Sequence, residues 1–477
     1  MLAKTLLALF AATAVAANPV AHDDRAVSIE DRAVSIEDRA DIEGRALCAG
    51  NLIDGPRKLS IGGTLRVYYS SAGGGTNCAY VTNDLGKEVF MYISLQDTSS
   101  SAFRLDDDYG DFSQFAGAVK LDGMAKHCFQ VLMTHASEFK SGHFQRIRLT
   151  PTSATITDDI YGQHEITEPP LVTLLACEPV RRLGRVHQHG MSGLLGLTPP
   201  VTRLEHSVGA MLLVRRVGGS VAEQAAALLH DISHTALSHV ADDAFPSAGS
   251  YHEIHKARYV ATTCLPALIK EIGLPLEVLD EELFGLVEQS APRLCADRLD
   301  YGLRDTVAFQ HLDIEIAKAI FADVSAFPGV NANNRCLALS IPDLALALAR
   351  AYIATDAGVW CNPAHTDMYL RAGALIRNLV ADGRLAEADL WLDDEAFWAS
   401  MRAACDDDGR REMDALYTIP EEKGLRLSSD CKIRTLDPDM VVDGTLAPLS
   451  QVNPVWNKER LAYIAGRKML INPPPTA

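Results

Sequence analysis

The sequence predicts a mainly α-helical protein that carries a small all-β domain near its N-terminus. From residue 179 onward, long segments with apolar residues at helical spacing follow one another, with few strand patterns between them. Short segments rich in β-branched and aromatic residues, separated by glycines, occupy residues 47–131. The chain has 477 residues, of which 48% are hydrophobic, and this suits two or three domains with buried cores.

The charge and the cysteine content argue against several classes of protein. The net charge is −18 and there is no basic run, so we expect no dedicated nucleic-acid-binding surface. Ten cysteines over this length do not make a disulfide-dense scaffold. No internal stretch is long and apolar enough to predict a membrane span. The sequence leaves a homo-oligomer open.

Residues 1–17 have the pattern of a secretory signal peptide. Lys4 precedes an apolar run from Thr5 to Val15, and Ala14-Val15-Ala16 provides small residues for cleavage. In residues 18–46, the repeat Asp-Arg-Ala-Val-Ser-Ile-Glu begins at Asp24 and again at Asp31. This charged segment has little to bury, so we expect it to be disordered.

Residues 47–131 are expected to form the β domain, with strands such as Leu65–Tyr69 and Val89–Ser94. The stretch resembles the spore-associated protein A family, a family of small secreted proteins. The resemblance rests on Cys48-Ala-Gly, on Thr76-Asn77-Cys78 and on Phe115-Ala-Gly-Ala-Val before Cys128. That family continues to a further cysteine, whereas here three cysteines leave one unpaired. The resemblance implies a structural or surface role.

Residues 132–178 are interpreted as a joining segment, with a strand-like stretch from Ile147 to Ile156. A secreted β domain followed by a second domain of a different kind has two explanations. Two neighbouring coding regions were merged, with Met133 as the start of the second, or the chain is a genuine secreted fusion. The unpaired cysteine favours the merge.

An all-α domain is predicted over residues 179–431. Helices are expected at residues 251–272, 276–288, 297–309, 337–354 and 370–388. Residues 432–477 contain Pro438, Pro448, Pro454 and Pro473 to Pro475. We therefore expect an irregular C-terminal extension that packs over the helices.

One stretch of the all-α domain, Leu228–Asp242, holds three His and two Asp within fifteen residues. We expect it to lie in an apolar helix that begins after Ser220, because Glu223 completes a capping box. Burying so many ionisable groups is unfavourable unless something binds them, and a metal ion is the simplest partner. The alternatives are a solvated polar face or core histidines that are hydrogen-bonded to the backbone.

Two further segments supply polar residues. Arg203-Leu-Glu-His206 opens a helix, and Asp297, Tyr301 and Asp305 recur at four-residue spacing on one helical face. The order of a single His, then His-Asp, then a distant Asp resembles the HD-domain metal-dependent phosphohydrolases. Over about 179–389 it is similar to their deoxynucleotide triphosphohydrolase branch, the branch of the SAM-and-HD-domain protein.

The resemblance implies a role for each of these residues. One divalent metal ion would be held by His206, His230, Asp231 and Asp297. The residues implied in phosphate contact and proton transfer are His234, His239, Asp242 and His252, with His252 as the general acid. Substrate contacts are implied for Gln188, Arg203, Arg298, Tyr301 and Asp305.

The sequence departs from the pattern of that branch at two of these places. His189 stands where Leu is usual after the Gln, and Arg298 stands where a phosphate-binding Lys is common. An Arg supplies the same charge with a different geometry. His365 and Tyr369, four residues apart, are weaker matches that would also face the site.

The implied activity is hydrolysis of a deoxynucleoside triphosphate to a deoxynucleoside and triphosphate. Imidazole and carboxylate ligands suit Mn, Fe, Zn, Ni or Mg, so the ligand types leave the metal open. The alternatives are another phosphoester, namely a nucleoside monophosphate, a cyclic nucleotide or a guanosine polyphosphate, or a secreted surface protein with an inactive HD region. Residues 1–17 predict secretion, whereas a nucleotide substrate predicts a cytoplasmic HD domain if the genes were merged.

Overall fold

The computed structural model describes residues 145–150, 152–247, 249–329, 334–422, 425, 427 and 431–471, together with Cys48 and eight strands of the N-terminal part. The chain divides into two compact units, Met1–Lys140 and Ser141–Ala477. Apart from Ala14–Ala16, which forms a strand, the predicted signal peptide and the repeat segment lie outside the described residues. Cys128 also lies outside them.

The described strands of the first unit form two antiparallel four-stranded sheets. In order, one sheet contains Ala14–Ala16, Phe129–Ala136, Val89–Asp97 and Leu105–Phe112. The other contains Asn51–Lys58, Gly63–Ser70, Thr76–Asn83 and Phe115–Leu121. Cys48 and Cys78 are disulfide-bonded. Met133 pairs with Ile93, so the expected boundary at residue 131 falls inside a strand.

The second unit begins with a three-stranded antiparallel sheet, in the region interpreted as a joining segment. Its strands are Arg146–Leu149, Ala154–Asp158 and Gly162–Ile166. Ala154, Ile156 and Asp158 alternate inward, as expected when one face of a sheet is covered. Because Ile156 and Ile166 are fully buried in the main core, this segment belongs to the second unit and is not a linker.

The rest of the second unit is mainly helical. Its α-helices are Pro169–Ala176, Glu178–Arg182, Gly190–Leu194, Arg203–Arg216, Val221–Leu229, Val240–Ala244, Tyr251–Ile254, Lys256–Ala261, Leu265–Glu271, Ala296–Ala308, Ile314–Asp323, Pro342–Thr355, Pro363–Ala381, Asp394–Ala404, Asp407–Ala415, Leu449–Val452 and Pro454–Ile471. Short 3₁₀ turns occupy Leu183–Arg185, Leu276–Leu279, Glu281–Leu283 and Glu387–Trp391, and Asp356–Trp360 is a π-helical turn. Two antiparallel strand pairs complete it, Ser325–Phe327 with Cys336–Ala338 and Asp439–Val442 with Thr445–Pro448.

Several expectations about these elements are wrong. The helix expected at residues 251–272 is three short helices, and the helix expected from residue 337 begins at Pro342, after the strand Cys336–Ala338. The helix expected at residues 276–288 is a pair of short turns, because only Val278 is buried between Leu276 and Leu283. The C-terminal extension is largely regular and includes an 18-residue helix. Pro454 occupies the first position of that helix, where its missing N–H is tolerated, and Trp456 is buried in the main core.

Two helices at the centre of the main core position the site. In Arg203–Arg216 every residue from Val208 to Val214 is buried, and Ala296–Ala308 packs against it. They approach closely at Gly209, where an added Cβ would lie 1.8 Å from Asp300 Oδ1. Within the described residues, no single helix passes a length and hydropathy test for a membrane span. The bent pair Pro342–Trp360 and Pro363–Ala381 passes it by length and composition only.

Candidate metal centre and active site

The four residues expected to hold a metal come from three separate chain segments. Thr202 and Glu205 form a capping box that starts the helix carrying His206, and Asp297 lies in the first turn of Ala296–Ala308. His230 and Asp231 follow directly after the helix Val221–Leu229.

The expectation of one continuous helix through Asp242 is wrong. The predicted capping box of Ser220 and Glu223 is present, but the helix ends at Leu229. Residues 230–239 form turns, in which Leu237 and Ser238 have φ values of 58° and 50°. A right-handed helix cannot accommodate these values, so His230 and His234 are brought together by turns.

The ligand atoms of His206, His230 and Asp231 lie within 4.8 Å of one another, and Asp297 Oδ1 contacts both imidazoles. His206 Nε2 lies 3.0 Å from His230 Nε2 and 3.0 Å from Asp297 Oδ1. The carboxylate of Asp231 lies 3.7 Å from each of the two Nε2 atoms. A metal about 2.0–2.2 Å from nitrogen and oxygen ligands brings such atoms to about 3 Å of one another, so the spacing suits one ion.

The hydrogen bonds of the two imidazoles also suit a metal. His206 Nδ1 donates to Asp300 Oδ2 at 2.8 Å, and His230 Nδ1 donates to the Ala227 carbonyl at 2.7 Å. In the neutral rings this leaves an unprotonated Nε2 on each, directed at the other. Two lone pairs and two carboxylates facing one another are stabilised by a cation.

Without a metal, protons take the place of that cation. Burial lowers the pKa of His206, but the carboxylates of Asp297 and Asp300 overcome this and raise it to about 10. Burial raises the pKa of Asp231, but Arg203 and the two imidazoles hold it well below its usual range. The cluster therefore favours positive charge at its centre.

Asp300 is a functional residue that sequence reasoning missed. Its carboxylate is fully buried and accepts hydrogen bonds from His206, from the Tyr161 hydroxyl at 2.7 Å and from Arg304 at 2.9 Å. Asp158, at the end of a strand, is the second carboxylate that faces Arg304. The position of Asp300, three residues after Asp297 and four before Arg304, was the available signal.

A second cluster of imidazoles lies next to Asp231. The rings of His234 and His252 stack with centroids 3.6 Å apart, and His239 lies 5.1 Å from His234. His234 Nε2 is 3.4 Å from Asp231 Oδ1, which joins the two clusters. Burial and positive neighbours hold the pKa of His234 well below its usual range and lower that of His252 to about 3.

Asp242 holds the imidazole cluster in position through two hydrogen bonds. It accepts from His239 Nδ1 at 3.0 Å and from the Tyr251 N–H at 2.7 Å. His252 lies in the short helix Tyr251–Ile254 and not in the long helix expected at residues 251–272, and Asp242 holds the start of this short helix against the imidazoles.

Arg203 connects the metal cluster to the segment around Gln188. Its guanidinium donates to Asp231 Oδ2 at 2.7 Å, to the Ser238 hydroxyl at 3.1 Å and to the Gln188 carbonyl at 3.3 Å. A phosphate beside Asp231 would therefore meet a positive charge that is already fixed in place.

The residues expected to contact a sugar lie further along the helix Ala296–Ala308. The Tyr301 ring is 6.2 Å from that of His206 and packs edge-on against Trp360 at 5.4 Å. Asp305 is buried and accepts from the Trp360 indole N–H at 3.0 Å. Its other oxygen is 3.3 Å from His189 Nε2 but is not aligned for a hydrogen bond.

The guanidinium of Arg298 makes contacts within the protein instead of the expected phosphate contact. Its guanidinium donates to the carbonyls of Gln289 and Arg293 at 3.0 and 2.8 Å and pairs with Glu288 at 3.1 Å. These bonds brace the loop before the helix, so Arg298 is not free to bind a phosphate. Among the weaker matches, Tyr369 donates its hydroxyl to the His189 carbonyl, and the partly buried ring of His365 lies within electrostatic range of His189 and Glu422.

Several buried polar atoms of the site have no hydrogen-bond partner among the described residues. They are Gln188 Oε1, His189 Nε2, His234 Nδ1, His252 Nδ1 and Asp305 Oδ1. Leaving a buried polar atom without a hydrogen bond costs about 1–3 kcal/mol. A group of such atoms in one region therefore indicates a binding site whose ligand supplies the missing hydrogen bonds.

Comparison with known proteins identifies the family. No family model matches the sequence. A metal-dependent phosphohydrolase of Cordyceps militaris is 51% identical over 326 residues, which make up 67% of this chain and 94% of that protein. The chain belongs to the metal-dependent phosphohydrolases. An uncharacterized protein of Bacillus subtilis is 31% identical over 295 residues, 60% of this chain and 89% of that protein.

Two solved structures are also similar. A hypothetical protein from Aquifex aeolicus has a TM-score of 0.49 and 15% identity, with 68% of this chain and 100% of that chain covered. A phosphohydrolase from Bacteroides thetaiotaomicron has a TM-score of 0.47 and 18% identity, with 63% and 94% covered.

Membership of this family makes the chain a hydrolase of the HD type that depends on a divalent metal. In such enzymes the bound ion lowers the pKa of a coordinated water and neutralises charge on the phosphoryl group. His206, His230, Asp231 and Asp297 would hold the ion. The metal-ligand assignments are predictions, and so are those of the phosphate and sugar contacts. The observed distances are consistent with them.

Proposed function

We propose that this phosphohydrolase cleaves deoxynucleoside triphosphates to a deoxynucleoside and triphosphate. The observation that carries the proposal is the arrangement of Asp297, Tyr301 and Asp305 along one helix. Asp297 joins the metal cluster, whereas Asp305, whose Oδ1 lies 3.3 Å from His189 Nε2 without a hydrogen bond, is eight residues further on, about 12 Å along the helix. This separation suits a nucleotide whose first phosphate lies at the metal cluster and whose sugar hydroxyl reaches Asp305.

The cluster of imidazoles supports hydrolysis at the α-phosphate. Arg203, His234 and His239 are grouped where they can hold that phosphate, which fixes the phosphorus under attack. His252 stacks beside them and is placed to give a proton to the departing 5′ oxygen. The free site keeps His252 neutral, and the negative charge of a bound phosphate favours its protonated form.

The neighbourhood of Tyr301 supports a preference for deoxyribose. Its hydroxyl shares a hydrogen bond with Tyr352, and Trp360 packs against its ring. The ring is therefore fixed and can exclude bulk at the sugar C2′. Gln188 Oε1 has no hydrogen-bond partner among the described residues, and Asp305 Oδ1 lies 3.3 Å from His189 Nε2; either oxygen can accept from the 3′ hydroxyl.

The direct test is product analysis. The full-length protein is incubated with a panel of deoxynucleoside and ribonucleoside triphosphates, with Mn or Mg added. We expect triphosphate and a deoxynucleoside as the initial products, with ribonucleotides hydrolysed more slowly. Initial release of pyrophosphate or inorganic phosphate would place the attack on another phosphorus and contradict the proposal.

One observation favours a second candidate function within the same class. Arg298, expected to hold a phosphate, is bonded to Glu288 and to loop carbonyls, so the site has fewer free cations for a triphosphate. A substrate with a shorter phosphate group, such as a nucleoside monophosphate or a cyclic nucleotide, needs fewer of them. The same panel extended to these compounds and to guanosine polyphosphates separates the two functions.

For the N-terminal part we propose that two coding regions were merged, and that the phosphohydrolase acts in the cytoplasm. The 326 matched residues make up 94% of the Cordyceps protein, so that protein is shorter than this chain of 477 residues. Its length is close to that of the second unit, 337 residues (477 − 140). Sequencing transcripts across codons 120–150 tests this, since one continuous transcript that yields one secreted polypeptide would establish a genuine fusion.

A further inference from the structure

A segment near the C-terminus, Cys431–Thr435, lies beside the site and brings a cation that sequence reasoning did not consider. Two contacts place it there. The Arg434 N–H donates to Asp356 Oδ2 at 3.1 Å, and Cys431 lies next to Cys361, with their Cα atoms 6.4 Å apart. Asp356 is fully buried and also accepts from the Tyr463 hydroxyl at 2.8 Å, so the C-terminal helix holds the same anchor.

Asp356 is connected through one turn to the residues on the sugar side of the site. Asp356 begins the π-helical turn that ends at Trp360. The Trp360 ring packs against Tyr301 at 5.4 Å and against Tyr352 at 4.8 Å, and its indole donates to Asp305. The backbone of Arg434 is therefore bonded to the turn that supports the sugar side of the site.

The guanidinium of Arg434 is bound only loosely within the described residues. Its Nη1 donates to the Lys432 carbonyl at 3.4 Å and lies 4.0 Å from Asp356 Oδ1, and 30% of the side chain is exposed. Three other cations near the site are held more tightly. Arg203 lies 2.7 Å from Asp231, Arg298 is bonded to Glu288, and Lys256 is paired with Glu281.

The charge of Arg434 affects the pKa values of groups on both sides of the site. Burial raises the pKa of Tyr301, and the charge of Arg434 is among those that oppose the rise. The pKa of His239 is lowered by partial burial and by positive neighbours that include Arg434. Tyr301 lies on the sugar side and His239 in the imidazole cluster, so Arg434 stands within electrostatic range of the space between them.

We propose that Arg434 binds the terminal phosphates of the substrate and thereby selects a triphosphate over a monophosphate. The inference rests on the proposed function, because it assigns a contact to the phosphates beyond the one at the metal cluster. Arg434 supplies the charge that Arg298, committed to Glu288, does not. A loosely paired guanidinium loses little on binding and forms charge-assisted hydrogen bonds with phosphate oxygens.

The test compares two inorganic probes, tripolyphosphate and orthophosphate, on full-length protein loaded with Mg. Calorimetry gives the dissociation constant of each for the wild type, R434Q, R434K and the control R350Q. Arg350 is an exposed residue paired with Glu459 of the C-terminal helix, so R350Q makes the same charge change elsewhere. Thermal melting confirms that each variant is folded.

We expect R434Q to weaken tripolyphosphate binding by about 10- to 100-fold and orthophosphate binding by less than about 3-fold, as the loss of one charge-assisted contact predicts. R434K should restore part of the loss, and R350Q should change neither constant. Equal losses for both probes, no loss for tripolyphosphate, or a wild type that binds both probes equally would overturn the proposal.

Hydrolysis assays separate this inference from the proposed function. If deoxynucleoside triphosphates are not cleaved but R434Q still weakens tripolyphosphate selectively, the proposed function fails and the role of Arg434 stands. If they are cleaved to triphosphate and R434Q leaves KM unchanged, the role of Arg434 fails and the proposed function stands.

Discussion

His206 shows how individual side chains prepare the metal centre. Its Nε2 faces His230 and Asp297, while its Nδ1 is fixed by Asp300. Asp300 is in turn held by Tyr161 and Arg304. This chain of buried hydrogen bonds fixes which nitrogen carries the proton and where the free lone pair points. The affinity of the site thus depends on residues that do not touch the ion.

The substitution Asp300→Asn tests this dependence. It removes the negative charge behind His206, so we expect metal affinity to fall about 10- to 100-fold. Titration with a metal indicator measures the affinity, at a temperature where circular dichroism shows the variant to be folded. Asp159→Asn, an exposed change of the same charge, is the control. An unchanged affinity in folded Asp300→Asn would show that Asp300 has only a structural role.

His252 is the residue to which we assign proton transfer. In His252→Ala we expect kcat to fall about 100- to 10,000-fold with a much smaller change in KM, because the proton is needed only as the leaving oxygen departs. Steady-state kinetics with a deoxynucleoside triphosphate measure both constants. Full activity in this variant would remove the proposed acid, and a loss confined to KM would make His252 a binding residue.

At the scale of elements, the site depends on how closely two helices approach. Arg203–Arg216 carries His206 and Ala296–Ala308 carries Asp297 and Asp300. Gly209 permits the contact, since a Cβ there would meet Asp300 Oδ1 at 1.8 Å and Arg304 Nη2 at 2.5 Å. Gly209 thus affects both the packing between the two helices and, through Asp300, the orientation of His206.

Gly209→Ala should therefore disturb stability and metal binding together. The added methyl group must displace the buried pair of Asp300 and Arg304 or separate the helices, and we expect a loss of about 1–3 kcal/mol in the free energy of unfolding. Denaturant unfolding and metal titration measure the two effects. Gly466→Ala is the matched control, because an added Cβ there meets nothing within 4 Å and should stabilise its helix slightly. Equal behaviour of the two variants would contradict the steric argument.

For the molecule as a whole, metal binding and folding stability are linked. Two carboxylates and two imidazole Nε2 atoms lie together in the buried centre of the second unit. An ion that binds only the folded state adds stability in proportion to the logarithm of its concentration over Kd. The metal is thus expected to be part of the folded structure as well as of the reaction.

Removal of the metal should lower the melting temperature. At a metal concentration about 1,000 times Kd, binding adds about 4 kcal/mol, which EDTA removes. We expect melting scans of the metal-loaded protein to shift down by several degrees with EDTA. Asp231→Ala, which lacks a ligand, should be folded, inactive and insensitive to EDTA. A wild type whose melting temperature does not respond to EDTA or to added metal would contradict the metal assignment.

From the amino-acid sequence alone, the mainly helical class of the second unit and the residues of the candidate metal centre can be predicted. The helical spacing of apolar residues and the capping boxes at Thr202 and Ser220 are local signals, and local hydrogen bonding and burial realise them in the structure. His206, His230, Asp231 and Asp297 were assigned together because their order along the chain matched a known pattern, and their side chains do meet. The helix expected through Asp242 was wrong because the turns at Leu237 and Ser238 depend on contacts with distant segments, such as the bond from the Leu237 N–H to Asp394.

Which polar residues are already paired follows from contacts between remote segments and is not visible in the sequence. Arg298 and Arg434 are both arginines in polar surroundings, and nothing local distinguishes them. The fold bonds Arg298 to Glu288 and brings Arg434 beside the site through Asp356, 78 residues away along the chain. Asp300 likewise acts through Tyr161, a partner 139 residues distant. Such pairings are set by packing between remote segments, and a buried charge takes the partner that packing provides.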